Sequence, residues 1–463
     1  MASHLQGLSA IASRRRTHNH KWFCKYGSLF DPEIYETAIC NVRSRTGRRR
    51  KVPGEPDEFA FDTFFEDMVP RIIQQMRDRS FQFMPVQTEP ILQPEGKTRL
   101  IATPSLVDDV IQEALRLILE PAFAKSHIHA RSACPPLHSA RLTMQRVRMW
   151  TGTTWLISAN RNGFMDNINH TVLAQMIGRD VKDQQILDLY WKLVNAGLVN
   201  SGNQEPHNLT AVSKGGILWP LFTDIYFSDF DVWLQDLSSS LERQLLKGGN
   251  KLRKGIERGI QGGGTRIHYI RYGDQWLVGV DGPKSVAVEI KDDIAMYLNM
   301  NLKLNIENDD IAITHLATEK CKYLGMLIST RDRKYTESLV GESADYAYGQ
   351  IVLEAPINEL VTKLVERGFA VNPEYPRGMS GWIHLEAEEI MRRYRSIIRS
   401  LMNYYSVVDN KNMLRRVFWI LRFSAIFTLC RKWRMSTRAL FKKLATDPKY
   451  ADFLKGRVAS SKW

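Results

Sequence analysis

The most constraining feature of the sequence is the stretch at residues 267–280, where apolar and polar residues alternate on both sides of a short turn. Such alternation predicts two β-strands, and Tyr272-Gly273-Asp274-Gln275 supplies the tight turn between them. A hairpin of this kind raises the side chains of its turn to the edge of a sheet. We therefore expect the rest of the chain to be organised around this hairpin.

The turn also limits the chemistry that the sheet can support. A sheet edge with raised carboxylates is where a template-copying polymerase holds its metal ions, and it needs several carboxylates to hold two Mg²⁺ close together. This turn offers one carboxylate, Asp274, followed by an amide, Gln275. The sequence predicts a polymerase palm that has lost its chemistry, with Asp274 as an ordinary turn-forming aspartate.

The charge of the chain is concentrated at its two ends. The 463 residues carry a net charge of +14 and are long enough for two or three domains with their own cores. Residues 1–51 hold 11 Lys and Arg against 3 Asp and Glu, and residues 385–446 hold 14 against 4, whereas residues 52–384 hold 35 against 41. Because a basic surface attracts a polyanion by counterion release, this distribution favours a nucleic-acid partner over a merely solvated basic face.

The cysteines and the N-terminal segment bear on the compartment. Five cysteines lie singly, with no CxxC pair, which is typical of a reducing compartment and argues against a zinc site. Residues 1–30 contain no acidic residue and carry three adjacent arginines, so they resemble a mitochondrial transit segment; an RNA-binding tail and an ordinary N-terminus are the alternatives. No apolar run reaches the length of a membrane span, and we expect no membrane partner and no cofactor.

A series of short blocks follows a characteristic order along the chain. Residues 90–104 form a predicted hairpin, and residues 107–123 an amphipathic helix that Pro121 is expected to stop. Later blocks occupy residues 155–170, 213–221, 271–275 and 322–325. In this order they resemble the fingers and palm of group II intron reverse transcriptases, also called intron maturases.

The resemblance implies a particular architecture. The expected fold class is α+β, a right-hand polymerase fold of fingers and palm followed by an α-helical thumb and a maturase domain, often called domain X. The expected divisions are a basic N-terminal extension, the degenerate fingers and palm, a linker with the thumb, the maturase domain and a C-terminal tail, at residues 1–54, 55–330, 331–384, 385–446 and 447–463. Within the third part we expect a polar linker at residues 329–352 and a helix at 357–366 that Gly368 ends.

Departures from the family pattern fall on the chemistry. The family has a metal-binding aspartate where this chain has Asn160, and a second hairpin aspartate where it has Gln275. Only Asp274 remains of three carboxylates, and a neutral amide supplies no charge for Mg²⁺. Met165 and Lys214 also replace residues that the family places beside the incoming nucleotide. The resemblance therefore implies a protein that is not an active enzyme, with a vestigial polymerase site at Asn160, Asp274 and Gln275 and no bound metal.

Two amphipathic helices are predicted near the end of the chain, at residues 385–405 and 414–433. In the first, three acidic residues lie at the start, where the helix dipole favours them, and Arg392, Arg395 and Arg399 form a stripe. Residues 381–385, 403–405 and 424–432 resemble the maturase domain, which in the family binds intron RNA and assists its folding. After Leu444 only a short tail follows, so we expect no DNA-binding or endonuclease segment.

Candidate RNA-binding residues lie in both basic regions. Arginine offers planar donors for phosphate and stacks on bases, and exposed tyrosine or tryptophan can add stacking. For Tyr404 core packing is an equal alternative, and for Tyr405 it is the expectation. The candidates are Arg48, Arg49, Arg50, Lys51, Arg392, Arg395, Arg399, Tyr404, Arg415, Arg416, Arg431, Lys432, Arg434, Arg438, Lys442 and Lys443.

Three hypotheses of function follow from these observations. The first is an RNA-binding maturase-like protein of a mitochondrion or other organelle that assists group II intron folding and splicing without polymerase activity. The second is an architectural RNA-binding subunit of an organelle ribonucleoprotein, such as the mitochondrial ribosome, with ribosomal RNA and other proteins as partners. The third, an active reverse transcriptase, is disfavoured by the count of carboxylates.

Overall fold

The computed structural model describes residues 25–46, 61–92, 98–123, 139–159, 168–196, 198–199, 216–247, 266–331 and 349–444. None of the helices in these ranges is long and apolar enough to span a bilayer. The helices are α1 (Pro32–Thr46), α2 (Phe61–Arg77), α3 (Leu106–Phe123), α4 (Ala140–Val147), α5 (His170–Asp180), α6 (Gln184–Asn195), α7 (Trp219–Tyr226), α8 (Ser228–Lys247), α9 (Lys284–Met300), α10 (Ile357–Glu366), α11 (Ala387–Tyr404), α12 (Leu414–Trp433) and α13 (Thr437–Leu444). The strands are β1 (Val86–Leu92), β2 (Thr98–Thr103), β3 (Trp155–Ala159), β4 (Leu198–Val199), β5 (Arg266–Tyr272), β6 (Gln275–Asp281), β7 (Ile311–His315), β8 (Cys321–Tyr323), β9 (Met326–Thr330), β10 (Ile351–Glu354), β11 (Ala370–Asn372) and β12 (Tyr375–Pro376).

The chain divides into two compact units, and the first combines Met1–Arg131, Ala159–Arg243 and Val288–Ile311. Its sheet has the order β2-β1-β4, in which β1 runs antiparallel to β2 and parallel to β4. The predicted hairpin of residues 90–104 is therefore confirmed, with longer strands. The predicted helix of residues 107–123 is confirmed, since α3 runs from Leu106 to Phe123 and ends two residues after Pro121. Proline removes one backbone donor and crowds the preceding turn, and here only the last turn of the helix has to accommodate that.

A buried carboxylate joins α1 to α3 inside this unit. Glu113 of α3 is fully buried; it accepts hydrogen bonds from Asn41 Nδ2 at 2.9 Å and Arg116 Nη2 at 2.7 Å, and its Oε2 lies 3.3 Å from Arg45 Nη1. Burial alone would raise the pKa of Glu113, but the hydrogen bonds and positive charge of these partners outweigh it, and the pKa is lowered. The ionised form of Glu113 thus fixes α1 against α3.

The second unit combines Ser132–Ser158, Gln244–Ala287 and Ala312–Trp463. Its central sheet has the order β5-β6-β3-β7. The strands β5 and β6 pair antiparallel from Arg266 opposite Asp281 to Tyr272 opposite Gln275, so the predicted hairpin is confirmed in its register. Gly273 begins the turn with φ of +61°, a conformation that glycine adopts without steric cost.

A second sheet of this unit has the order β10-β9-β8. The strands β8 and β9 meet at a two-residue turn in which Leu324 and Gly325 both have positive φ, +46° and +67°. The polar linker predicted at residues 329–352 is wrong at both ends, because Thr330 pairs with Ile351 as β9 and β10 align. The residues at the two ends of this segment pair with each other as β9 and β10, and such pairing between distant residues cannot be read from local periodicity.

The C-terminal helices of this unit share one core. The α10 helix and the positive φ of Gly368, +81°, agree with the predictions, α12 has the predicted bounds, and α11 is three residues shorter than predicted. Val361 and Phe369 pack in the same apolar cluster as Tyr394 and Leu421. This core therefore continues across the division predicted between residues 384 and 385.

The segment between α11 and α12 is tied to the second sheet through two adjacent polar residues. Asp409 N–H donates to the Leu353 carbonyl at 2.7 Å, and its Oδ2 accepts from Leu353 N–H at 2.9 Å. The side-chain amide of Asn410 makes both of its bonds with the main chain of Ala355: Oδ1 accepts from Ala355 N–H at 2.8 Å, and Nδ2 donates to the Ala355 carbonyl at 3.0 Å. Arg148 completes the arrangement with an ion pair to Asp409. Asp409 and Asn410 therefore make hydrogen bonds with β10 of the kind that a neighbouring strand would make.

We predict that replacing Asp409 by alanine lowers the free energy of unfolding by about 1–3 kcal/mol, because a charge-assisted acceptor and the partner of Arg148 are lost together. Chemical denaturation of the full chain measures this change. Asp409→Asn keeps an acceptor for Leu353 N–H and should lose less than Asp409→Ala. Equal stability of the wild type and the alanine variant would contradict the role of this contact.

Candidate RNA interface

The interface is built on α11, whose sequence separates an apolar from a basic face. Glu388 and Glu389 lie in its first turn, where the helix dipole stabilises negative charge. Ile390, Tyr394 and Ile398 repeat at four-residue spacing and are buried. The arginines of the stripe fall between these positions and therefore lie toward solvent.

Buried hydroxyl groups hold α11 beside α12. The Tyr394 hydroxyl lies 2.9 Å from Ser424 Oγ and 3.0 Å from Thr428 Oγ1. Thr428 Oγ1 also accepts from Met379 N–H at 2.9 Å, and Ser424 Oγ donates to the Arg377 carbonyl at 2.5 Å. Because all three hydroxyl groups are buried and partnered, they fix the register of the two helices and thereby the positions of their outer faces.

The arginine stripe, Arg392, Arg395 and Arg399, lines an open depression together with Ser396, Ser400 and Asn403, and Glu386, Glu388 and Glu389 line the same depression toward the start of α11. Arg392 is exposed and forms an ion pair with Glu389, whose pKa is lowered by its hydrogen bonds with Arg393 and Arg392. Arg399 is exposed and makes no hydrogen bond or ion pair within the described residues. Carboxylates thus lie at the start of the depression, whereas its part around Arg399, Ser400 and Asn403 offers guanidinium, hydroxyl and amide groups, a set that suits phosphate oxygens.

Arginines on α12 add positive charge without acidic neighbours on the same helix. Arg415 and Arg416 are exposed and, in the described part of the chain, make no hydrogen bond or ion pair. Arg422 is half-buried, its guanidinium lies 5.9 Å from the centre of the Phe423 ring, and burial lowers its pKa. No Asp or Glu occurs between Leu414 and Trp433, so this charge is not neutralised within the helix.

Other predicted contacts already have partners inside the protein. Arg431 Nη1 donates to the Gly378 carbonyl and Lys432 Nζ to the Ile383 carbonyl, both at 3.3 Å. Arg434 ends α12 in the left-handed conformation, with φ of +49°. Arg431 and Lys432 thus hold the segment that packs across α12, which favours a structural role for these two residues.

The basic residues of the last helix, α13, also fall into those without and those with a contact inside the protein. Arg438 and Lys442 of α13 are exposed, and within the described ranges they make no hydrogen bond or ion pair. Lys443 Nζ lies 4.5 Å from the centre of the Trp433 ring, a cation–π distance. Trp433 is thus covered on this face by a side chain of the protein itself.

The two tyrosines at the end of α11 hold the turn between β8 and β9. The Tyr404 hydroxyl donates to the Leu324 carbonyl at 2.5 Å, and the Tyr405 hydroxyl to the Gly325 carbonyl at 3.3 Å. Tyr405 is buried in the core with the palm strands, and burial raises the pKa of Tyr405 to about 12. Tyr404 is half-buried, so its contact favours the structural alternative over base stacking.

The β5–β6 turn, where the sequence predicts a vestigial polymerase site, is held by hydrogen bonds from two side chains of the same unit. Arg271 is buried and donates to the Gly273 carbonyl at 2.7 Å, while the Tyr323 hydroxyl donates to the Gln275 carbonyl at 3.2 Å. No group of three His, Cys, Asp or Glu side chains suited to a metal ion occurs in the ranges given above. Outside those ranges lie the predicted positions Asn160, Met165, Lys214, Arg48, Arg49, Arg50 and Lys51.

An exposed tryptophan on α12 is absent from the sequence-based candidates. Trp419 is 42% exposed and lies between Arg415, Arg416 and Arg422. Its spacing of three and four residues from these arginines was available in the sequence. Only its exposure, which depends on how α12 packs, distinguishes it from a core aromatic.

Comparisons with known proteins agree with this geometry. The family described as type II intron maturase matches residues 348–462. The chain contains a type II intron maturase domain. The resemblance to group II intron maturases predicted from the sequence is thereby confirmed, and the matched residues include α10 to α13.

The full-length relatives extend the likeness over the remaining chain. The group II intron-encoded protein LtrA of Lactococcus lactis is 25% identical over 88% of this chain and 74% of its own length. A COX1/OXI3 intron 1 protein of Saccharomyces cerevisiae is 25% identical over 77% of this chain, and a mitochondrial protein of Marchantia polymorpha, ymf11, is 23% identical over 72%. The chain matches about half of the length of these two, 47% and 54%.

Solved structures give a distant likeness. The structure of apo telomerase from Candida tropicalis aligns over 92% of this chain and 68% of its own, with 12% identity and a TM-score of 0.39. The helices and the separate small sheets of the described residues confirm the predicted α+β class.

We predict that Tyr404→Phe lowers stability by about 1 kcal/mol without changing RNA affinity, because it removes one hydrogen bond and leaves the ring in place. Thermal unfolding and RNA titration of the same preparation measure the two effects. Loss of RNA affinity with unchanged stability would instead assign Tyr404 to the interface.

Proposed function

We propose that the protein binds a group II intron RNA, assists its folding and splicing, and does not synthesise DNA. The observation that supports this proposal is the set of exposed, unneutralised arginines on the maturase domain, among them Arg399, Arg415 and Arg416. The segment 385–446 holds 14 Lys and Arg against 4 Asp and Glu. Such a surface stabilises closely packed phosphates, and the folded RNA supplies its own catalytic metal ions.

The proposed loss of polymerase activity rests on the composition of the metal site. Asp274 is the single carboxylate of the three positions, and Asn160 and Gln275 carry no charge. Two Mg²⁺ ions close together repel one another, and charged oxygen ligands are what offsets this repulsion. One carboxylate is too little for a pair of divalent ions, so we assign the palm a structural role.

We also propose a mitochondrial location and the domain divisions given above. The basic segment at residues 1–30 is consistent with import, and a Marchantia relative is described as mitochondrial. The proposed boundaries remain 1–54 for the extension, 55–330 for fingers and palm, 331–384 for linker and thumb, and 385–446 for domain X.

We predict that the triple variant Arg392→Glu, Arg395→Glu, Arg399→Glu binds a group II intron transcript about tenfold or more weakly than the wild type. Charge-assisted hydrogen bonds to phosphate are lost and repulsion replaces them. Filter binding over a series of salt concentrations measures both the affinity and the number of ions released.

A matched control is available in the same unit. Lys363, Arg367 and Arg377 are exposed, and their reversal to Glu produces the same change of net charge outside the stripe. The proposal predicts a small effect for this control. Equal losses in the two triple variants would mean that only net charge matters, and unchanged affinity in the first would remove the stripe from the interface.

Crosslinking with sequencing identifies the bound RNA. We expect intron reads in the source organelle. Ribosomal RNA reads in their place would support the architectural alternative.

We predict that primer extension with the wild-type protein, in Mg²⁺ or Mn²⁺, gives no product above that of Asp274→Asn. The reason is the missing charge at positions 160 and 275. DNA synthesis that depends on Asp274 would overturn the assignment as a non-enzyme.

A further inference from the structure

The N-terminal half of α12 exposes an aromatic side chain surrounded by arginines. We define the Trp419 surface as Arg415, Arg416, Trp419, Arg422 and Phe423. The other four residues lie at positions −4, −3, +3 and +4 from Trp419. These are the positions that neighbour a residue on a helix surface, so the four side chains surround the indole on its own helix.

The indole is held on a rigid support. The Trp419 and Phe423 rings lie 5.1 Å apart, and Phe423 and Phe427 lie 6.2 Å apart. Phe423 and Phe427 pack against the core of the maturase domain, whereas Trp419 is outside that cluster and 42% exposed. The surface is therefore the exposed end of a row of aromatic rings whose inner members are fixed by packing.

The charge around the indole has no counterpart on the helix. Arg415 and Arg416 are exposed and make no hydrogen bond or ion pair within the described residues. The Nε atom of Arg422 is buried without a hydrogen-bond partner there. Because α12 contains no acidic residue, a binding partner has to supply both the negative charge and a flat apolar face.

Single-stranded RNA combines these two properties in each nucleotide. A base offers a flat π-face that stacks on an aromatic ring or a guanidinium plane, and the phosphates on either side pair with arginine. A duplex RNA presents phosphates to the same arginines, but its bases are already stacked on one another and are not available to the indole. The charge complementarity thus favours unpaired RNA over an apolar protein segment.

We propose that the Trp419 surface binds unpaired nucleotides of RNA, with a base stacked on the Trp419 indole and the flanking phosphates bound by Arg415 and Arg416. This inference rests on the proposed RNA-binding function and adds a second, chemically different contact to it. The arginine stripe on α11 recognises phosphates through charge, whereas the Trp419 surface distinguishes single-stranded from paired regions.

The test compares Trp419→Ala with the wild type on a single-stranded RNA and on a duplex of the same length. We expect the affinity of Trp419→Ala for the single strand to fall about tenfold, since stacking of one base contributes that much, and the affinity for the duplex to stay the same. Trp419→Phe should retain part of the affinity. Tyr375→Ala is the matched control, because Tyr375 is 64% exposed in the same unit and lies outside the surface.

The salt dependence separates stacking from charge. Loss of the indole should leave the slope of log affinity against log salt unchanged. Arg415→Gln or Arg416→Gln should reduce that slope by about 0.7 on single strands, as one phosphate contact is lost. Ultraviolet crosslinking of the wild type to single-stranded RNA should place a base on the peptide that contains Trp419, a readout that needs no variant.

Three outcomes would overturn the inference. The first is that Trp419→Ala keeps the wild-type affinity for the single strand, and the second is that it loses affinity equally for the single strand and the duplex. The third is that Trp419→Ala keeps its RNA affinity but no longer binds a protein partner. In each case the stripe variant of α11 still reports on the proposed function independently. If the wild-type chain binds no RNA at all, the proposed function fails together with this inference.

Discussion

Three hydrogen bonds to main-chain carbonyls connect the end of α11 to the two larger sheets of the second unit. Tyr404 and Tyr405, at the end of α11, donate to the Leu324 and Gly325 carbonyls of the β8–β9 turn. Tyr323, next to that turn, donates to the Gln275 carbonyl at the start of β6. The end of α11 is thus connected to the β5–β6 hairpin through two turns and three hydroxyl groups.

The contacts that hold the β5–β6 turn are made with main-chain atoms. The contacts to the β5–β6 turn use the carbonyl oxygens of Gly273 and Gln275, and not the side chain at position 275. A main-chain carbonyl is available whatever residue occupies the position, so replacing a carboxylate by an amide leaves the bracing contacts in place. The support that the hairpin gives to α11 therefore does not depend on the side chain at position 275. The second link, from Asp409 and Asn410 to β10, acts in the same way, since it too is made with main-chain groups.

The basic residues of the maturase domain divide into two groups once the packing is known. One group, including Arg431 and Lys432, donates to carbonyls of the segment that crosses α12. The other, including Arg399, Arg415 and Arg416, is exposed without partners in the described residues. A charge that already has a partner gains less from a phosphate than one that has none. We therefore assign the proposed affinity for RNA to the second group, and the proposed preference for unpaired bases to the exposed indole of Trp419.

The sequence by itself determined the β5–β6 hairpin, the bounds of α12, the basic character of residues 385–446 and the resemblance to the maturase family. These features are local, because alternation, helical periodicity and charge are written in neighbouring residues. Only the tertiary structure decided that Tyr404 holds a turn 80 residues away and that Arg431 is bound to a carbonyl 53 residues away. It also decided that residues 351–354 form a strand and that Trp419 is exposed. Each of these depends on a partner that is distant in the chain, and periodicity within one segment carries no information about that partner.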